Sequence, residues 1–234
     1  MHKSIQELTP RISDCLKLIY TMQEEGQKVS TSAVSVRLGV SDATATMLFK
    51  DFDVAGWVEH VPYRGVRLTA LGEQKAKEVI RHHRLLELYL ARELGYTWDK
   101  VHDEADRLEH VISEEFEDKL DALLGYPTID PHGDPIPSKE GLIVARNGLK
   151  LSLLKEGQVC RILRVSDQNP EKLCYLGKLG LYPDTWVEVL ERAPFGGPLR
   201  IRVGEPPRQS ESMLGVELAE HILVSEILPD DVVR

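Results

Sequence analysis

The sequence predicts a multidomain α+β chain: a winged helix-turn-helix at the N-terminus, an all-α middle and a small β-barrel at the C-terminus. Three observations predict it. Residues 11–55 hold helical apolar spacing broken at Gly26 and Gly39; residues 69–110 hold longer helical runs with imidazoles and carboxylates in register; from Val159 the texture turns to short alternating runs separated by Pro and Gly. The domains are placed at 1–73, 74–145 and 146–234.

In the first segment, Ile12, Leu16, Ile19, Tyr20 and Met22 fall at roughly helical spacing, and Gly26 ends that helix. Ser30 caps a short second helix reaching Leu38, Gly39-Val40 makes a tight turn, and Ser41 caps a third helix that runs to Ala55 and stops at Gly56. Two short helices joined by a glycine turn form the helix-turn-helix pattern. Residues 57–61 and 66–69 read as two strands around a turn at 62–65, which makes a wing bearing Arg64 and Arg67. The third helix opens with Ser41, Asp42, Ala43, Thr44, Ala45, Thr46 and Met47, small and hydroxyl-bearing side chains suited to close approach to a DNA groove. A protein-binding helix bundle is the alternative reading of this segment.

Charge divides the chain more sharply than its total of -9 suggests. Residues 1–75 carry nine Lys+Arg and nine Asp+Glu, residues 76–145 eight and sixteen, and residues 146–234 twelve and thirteen. A neutral reading head is a weak polyelectrolyte ligand as a single copy, so the pattern favours a dimer in which Lys28, Arg37, Lys50, Arg64 and Arg67 converge on the duplex. The acidic middle suits either a cation-binding centre or a solvated helix surface.

The middle segment writes its donors at helical spacing. One long helix from Thr69 to about Leu94 puts His83 and Glu87 four residues apart, on one face; a second carries His102, Asp106, Glu109 and His110 at i, i+4, i+7 and i+8, a single stripe. Carboxylates with imidazoles and no thiolate suit manganese, ferrous iron, cobalt, nickel or zinc better than copper(I). Three readings stay open from the residues: a metal site, a salt-bridged helix face, and a hydrolytic metal centre, although no HExxH is present.

The runs RHHRLLE (81–87) and VHDEADRLEHV (101–111), behind a winged helix-turn-helix, closely resemble the iron- and manganese-dependent repressors of the diphtheria toxin repressor family, over essentially the whole chain. The resemblance implies a homodimeric transcription regulator, not an enzyme, that binds double-stranded operator DNA when Mn(II) or Fe(II) is bound and controls metal-homeostasis genes. It implies two metal sites per subunit. The regulatory one takes Asp14, Asp106, Glu109 and His110, with Cys15 beside it but not coordinating; the ancillary one takes His83, Glu87 and His102, completed from the third domain near residues 169–172, where Glu171, or less well Asp167, offers a carboxylate. It also makes the middle segment the dimerisation domain and the last an SH3-like barrel, with matching residues Gly180-Leu181-Tyr182-Pro183 and Leu214-Gly215. Carboxylates at 14 and 106 follow the manganese-responsive branch, whereas Lys17 departs from it, since that branch has glutamate there.

Composition excludes other classes. With 42% hydrophobic residues and 29% charged, the chain is globular rather than disordered, and no run approaches the ~20 apolar residues of a membrane helix. Met1 to Glu7 lacks the apolar core of a signal peptide, so a cytoplasmic protein with no membrane partner is expected. Cys15, Cys160 and Cys174 are too few and too widely spaced for a disulfide framework. The Pro- and Gly-rich stretch 125–137 reads as a linker or ordered loop, and its His132 as a structural or solvated turn residue.

Overall fold

The computed structural model describes residues 9–61, 65–166 and 169–225, which form two compact units. The first comprises residues up to His83 with 106–117 and 137–142; the second comprises 84–105, 118–136 and the chain from Ile143.

The first unit opens with α1 (Pro10–Glu24), α2 (Thr31–Leu38) and α3 (Asp42–Val54), followed by the hairpin β1 (Val58–Val61) and β2 (Gly65–Leu68). The starts of α2 and α3 follow from local hydrogen bonds: Ser30 Oγ accepts from the Ala33 N–H and Ser41 Oγ from the Thr44 N–H, whereas α1 opens on Pro10 without a side-chain cap. Gly39 closes α2 at φ +62, a left-handed conformation that a side chain resists, and so turns the chain into α3. Leu16, Ile19, Met22, Val34, Phe49, Phe52 and Trp57 meet in one core, so α1 packs directly with the helix-turn-helix pair.

The long helix α4 (Ala70–Arg92) starts where Thr69 Oγ1 accepts from the Gly72 N–H, as expected of its cap. It is followed by α5 (Val101–Leu108) and α6 (Glu114–Leu124). Here the structure corrects the sequence reading. The α5 helix stops at Leu108, so Glu109 and His110 leave the predicted stripe and lie in a turn. The cause is the next helix: Ser113 caps α6 by accepting from the Phe116 N–H, and β-branched Val111-Ile112 fills the short gap between the two helices.

In the second unit, β3 (Leu149–Lys150), β4 (Val159–Val165), β5 (Trp186–Arg192), β6 (Leu199–Val203), β7 (Ser210–Leu214) and β8 (Ile222–Val224) form an antiparallel six-stranded sheet in the order β3-β8-β4-β5-β6-β7. The alternation is direct in β6: Leu199, Ile201 and Val203 are buried, while Arg200 and Arg202 face outward to Glu191, Glu188 and Glu211 on neighbouring strands. Two helices interrupt the strands, α7 (Pro170–Lys178) and α8 (Val216–Ala219). The region around Glu171 is therefore not an exposed loop but the first turn of α7, capped by the Asn169 side chain. After Leu214-Gly215 come both α8 and β8.

The Pro- and Gly-rich stretch is ordered. Asp130 Oδ1 accepts from the N–H groups of His132 and Asp134, and Ile129 bridges Pro135. Gly133, at φ +86, lies so close to β4 that a Cβ there would fall 2.1 Å from the Leu163 carbonyl oxygen, which explains a glycine at the tip.

Candidate metal centre

Donor side chains gather in both units: the first holds Asp14, Glu109 and His110 with their neighbours and, separately, His82, Glu114 and Glu117, and the second holds Glu87, Asp130 and His132. In the first, α1 supplies Asp14 and Lys17, α4 supplies His83, and the end of α5 with its following turn supplies Asp106, Glu109 and His110. Ligand atoms of Asp14, Glu109 and His110 all lie within 4.8 Å of one another, with His110 Nε2 3.1 Å from Asp14 Oδ1 and 3.6 Å from Glu109 Oε1. Glu109 is 2% exposed, which forbids leaving its charge uncompensated. Lys17 meets it as well: the ammonium donates to both Glu109 oxygens and to Asp106 Oδ1, each at 3.0 Å. His83 Nδ1 completes this side, 2.5 Å from Glu109 Oε2 and 3.2 Å from Asp106 Oδ1.

Burial raises the Asp14 carboxyl above the ordinary aspartate range, against the pull of His110 and Lys17. For Lys17, burial alone would lower the value, but Glu109 and Asp106 outweigh it and the ammonium is held more firmly than usual. Cys15 is fully buried beside Asp14, and burial pushes its thiol up to about 12, so it offers no thiolate.

The second group is more deeply enclosed. Glu87, Asp130 and His132 are all buried, and their ligand atoms lie within 4.8 Å of one another. Glu87 Oε1 stands 3.2 Å from His102 Nδ1. His132 stacks on Trp98, with ring centroids 5.6 Å apart, and its Nε2 lies 2.8 Å from the Trp98 carbonyl oxygen. A carbonyl only accepts, so Nε2 carries a proton, and Nδ1 stands 3.9 Å from Glu87 Oε2. A carbonyl orienting the far nitrogen is the usual support of an imidazole ligand. Asp130 is raised well above the ordinary range by burial, then by Asp134 and Glu87, with Arg84 opposing.

Of the predicted metal residues, Asp14, Asp106, Glu109 and His110 are brought together, and His83 turns its Nδ1 to Glu109 and Asp106; Glu87 pairs with His102. Glu171 is exposed and belongs to none of the donor groups among the described residues. Asp167 lies outside the described residues. The sequence reading missed Asp130 and His132 as donors. The signal is the run Asp130-Pro131-His132-Gly133-Asp134, where an aspartate-led turn places an imidazole two residues on; from sequence alone it reads as a linker or ordered loop with a structural or solvated histidine.

On the reading head, Ser41, Asp42, Ala43, Thr46, Lys50, Lys28, Arg37 and Arg67 are exposed, and Met47 is 65% exposed. Thr44, half-buried, shares a hydroxyl contact with Ser41, and Asp42 accepts from Ser35 Oγ, so these two also hold the turn itself. Arg64 lies outside the described residues.

Three family models match: the N-terminal DNA-binding domain of iron-dependent repressors over residues 7–66, their metal-binding and dimerisation domain over 69–138, and the FeoA domain over 149–226. The iron-dependent repressor IdeR of Mycobacterium tuberculosis is 35% identical over 133 residues, 57% of this chain and 58% of that protein's length. The diphtheria toxin repressor of Corynebacterium efficiens is 30% identical over 185 residues, 75% of this chain and 80% of that protein. Among solved structures, a manganese-dependent transcriptional repressor in complex with manganese has a TM-score of 0.84 at 37% identity, covering 92% of this chain and all of that one. The manganese regulator SloR has a TM-score of 0.71 at 30% identity, covering 94% of this chain and all of that one. The hydrolase reading finds no support in these matches.

Proposed function

This chain belongs to the iron-dependent repressor family, that of the diphtheria toxin repressor, and from that premise we propose that it is a manganese- or iron-responsive transcriptional repressor that binds operator DNA as a homodimer. The observation that carries the reading is the meeting of Asp14, on the helix packed against the helix-turn-helix pair, with Glu109 and His110. When bound, a divalent cation supplies the positive charge that three converging carboxylates need to stand this close. Asp14, Glu109 and His110 would hold it, with Asp106 alongside. Through Leu16 and Ile19, a fixed Asp14 sets the position of α1 against α2 and α3. In a dimer, that position sets the separation of two recognition helices, so DNA affinity becomes linked to metal occupancy.

Oxygen and imidazole donors, with Cys15 locked as a thiol, favour Mn(II) or Fe(II) over softer ions. The group Glu87, Asp130 and His132, with His102 beside it, supports a second metal site per subunit, built on a different donor set from the one the resemblance implies. Exposed Val111 and Phe116 support a dimer contact in the middle segment. The division at 73 and 145 and a cytoplasmic location belong to the same proposal; among the described residues no helix is long and apolar enough to cross a membrane.

The test is duplex DNA selected from a random library in the presence of Mn(II), followed by anisotropy titrations with Mn(II), with Fe(II), with chelator, and on Glu109→Ala. Binding that requires the ion and is lost in the variant is expected. Binding that ignores chelation overturns the reading.

A further inference from the structure

Glu109 faces two ways. Toward Asp14 and His110 its carboxylate is one of three donors that meet through Oε1, 3.6 Å from His110 Nε2; toward Asp106 the space between the carboxylates is filled by a side chain of the protein itself, whose ammonium reaches both Glu109 oxygens. The Lys17 nitrogen stands 3.0 Å from each Glu109 oxygen, 3.0 Å from Asp106 Oδ1 and 3.3 Å from His83 Nδ1. Three carboxylate oxygens from two residues thus surround one nitrogen, as ligands surround an ion, and His83 Nδ1, 2.5 Å from Glu109 Oε2, donates to that same carboxylate from beside them. Carboxylate oxygens are the donors that hard divalent cations select.

We propose that the Lys17 ammonium is a resident cation of this group, standing where a second divalent ion would sit, and that it limits the group to one ion while keeping α1 attached to the turn after α5 in the metal-free protein. The inference rests on the functional reading above and deepens it. Glu109 is buried and needs a positive neighbour at all times; Lys17 supplies one without metal, so the apo state keeps its fold and is not left with an unpaired internal charge. The same charge opposes an arriving divalent ion and so raises the metal concentration at which the protein responds. Lys17 is a positioning residue that sets that threshold.

The experiment counts Mn(II) per chain by equilibrium dialysis and elemental analysis in a Glu87→Gln, Glu114→Gln background, which removes the Glu87 group and the His82, Glu114 and Glu117 group from the count, and follows metal-free thermal melting in parallel. The parent is expected to bind one ion and Lys17→Glu two. Lys17→Met should bind the first ion about tenfold more tightly, equivalent to about 1.4 kcal/mol, and melt several degrees lower without metal. Lys17→Arg, which keeps the charge, should behave as the parent does; if Lys17→Met does not fold without metal, recovery of its fold on adding Mn(II) is the expected result. A parent that binds two ions overturns the proposal, as does a Lys17→Met protein unchanged in both affinity and metal-free melting. A parent that binds none overturns the functional reading itself, and the inference with it.

Discussion

The two donor groups solve the problem of buried carboxylates differently. In the first, Glu109 and Asp106 are met at 3.0 Å by the Lys17 ammonium, a flexible point charge brought in by α1. In the second, the Arg84 guanidinium stands 3.8 Å from Asp130 and is shared with Asp134 and the Pro135 carbonyl. One group is compensated from within; the other leaves Asp130 with a strongly raised tendency to hold a proton. On the functional reading proposed above, metal would act on the first chiefly as a positional switch and, if held by the second, chiefly as relief from buried charge.

The largest effect should come from Glu109→Ala. It removes a donor and also strands Lys17 and His83, so Mn(II)-dependent DNA binding should fall at least about 100-fold, with a loss of roughly 3 kcal/mol in metal-free stability. Anisotropy and chemical denaturation measure the two. Retained metal response would dissolve the distinction between the groups.

Next is Glu117→Ala, in the same unit but outside the proposed ligand set. Glu117 pairs with Arg81 and with His82 Nε2 at 3.0 Å, in a nearly buried setting. Its removal should cost about 3 kcal/mol while leaving the Mn(II) count unchanged. Burial raises the Glu117 carboxyl, but His82 and Arg81 outweigh it and hold it below the ordinary glutamate range. That part of the stability is present above the ordinary value and is lost as pH falls through the lowered one. For His82, burial is outweighed by Glu117 and the value is raised, so its share is full below the ordinary histidine value and is lost as pH rises through the raised one.

Asp130→Asn sharpens the second group. Because the folded-state value is raised, chiefly by burial, the metal-free wild type loses stability as pH climbs from the ordinary aspartate value through the raised one. Asparagine keeps the acceptor for the His132 and Asp134 N–H groups without the charge. Thermal melting with chelator should show the variant a few degrees more stable at pH 8, with the gap closing on acidification. With saturating Mn(II) the order should reverse.

The smallest effect is expected from Ser41→Ala, which removes the cap of α3 at a cost of about 1 kcal/mol and leaves the metal count untouched. A change in metal affinity here would mean that the reading head and the first donor group are coupled more tightly than α1 alone explains.

Much of this molecule was legible beforehand because local rules governed it. Ser30, Gly39 and Ser41 set the helix-turn-helix boundaries through hydrogen bonds and a left-handed turn that span a few residues. The strands of the last segment followed from alternation. The donor types were legible too, since His83, Glu87, His102, Asp106, Glu109 and His110 are dense in a short stretch. Their grouping was harder. Helical spacing placed four of them on one stripe, but the cap at Ser113 ended α5 early and swung Glu109 and His110 toward α1.

Sequence by itself determined most of the elements, the donors between His83 and His110 and the family, because each is written in neighbours or in a short run of residues. Only the tertiary structure decided which donors share a space: that Lys17 reaches Glu109, and that the Asp130 turn delivers His132 to Glu87. Those pairings join residues separated by 92 and 45 positions, and chain spacing carries no information about approach at that range.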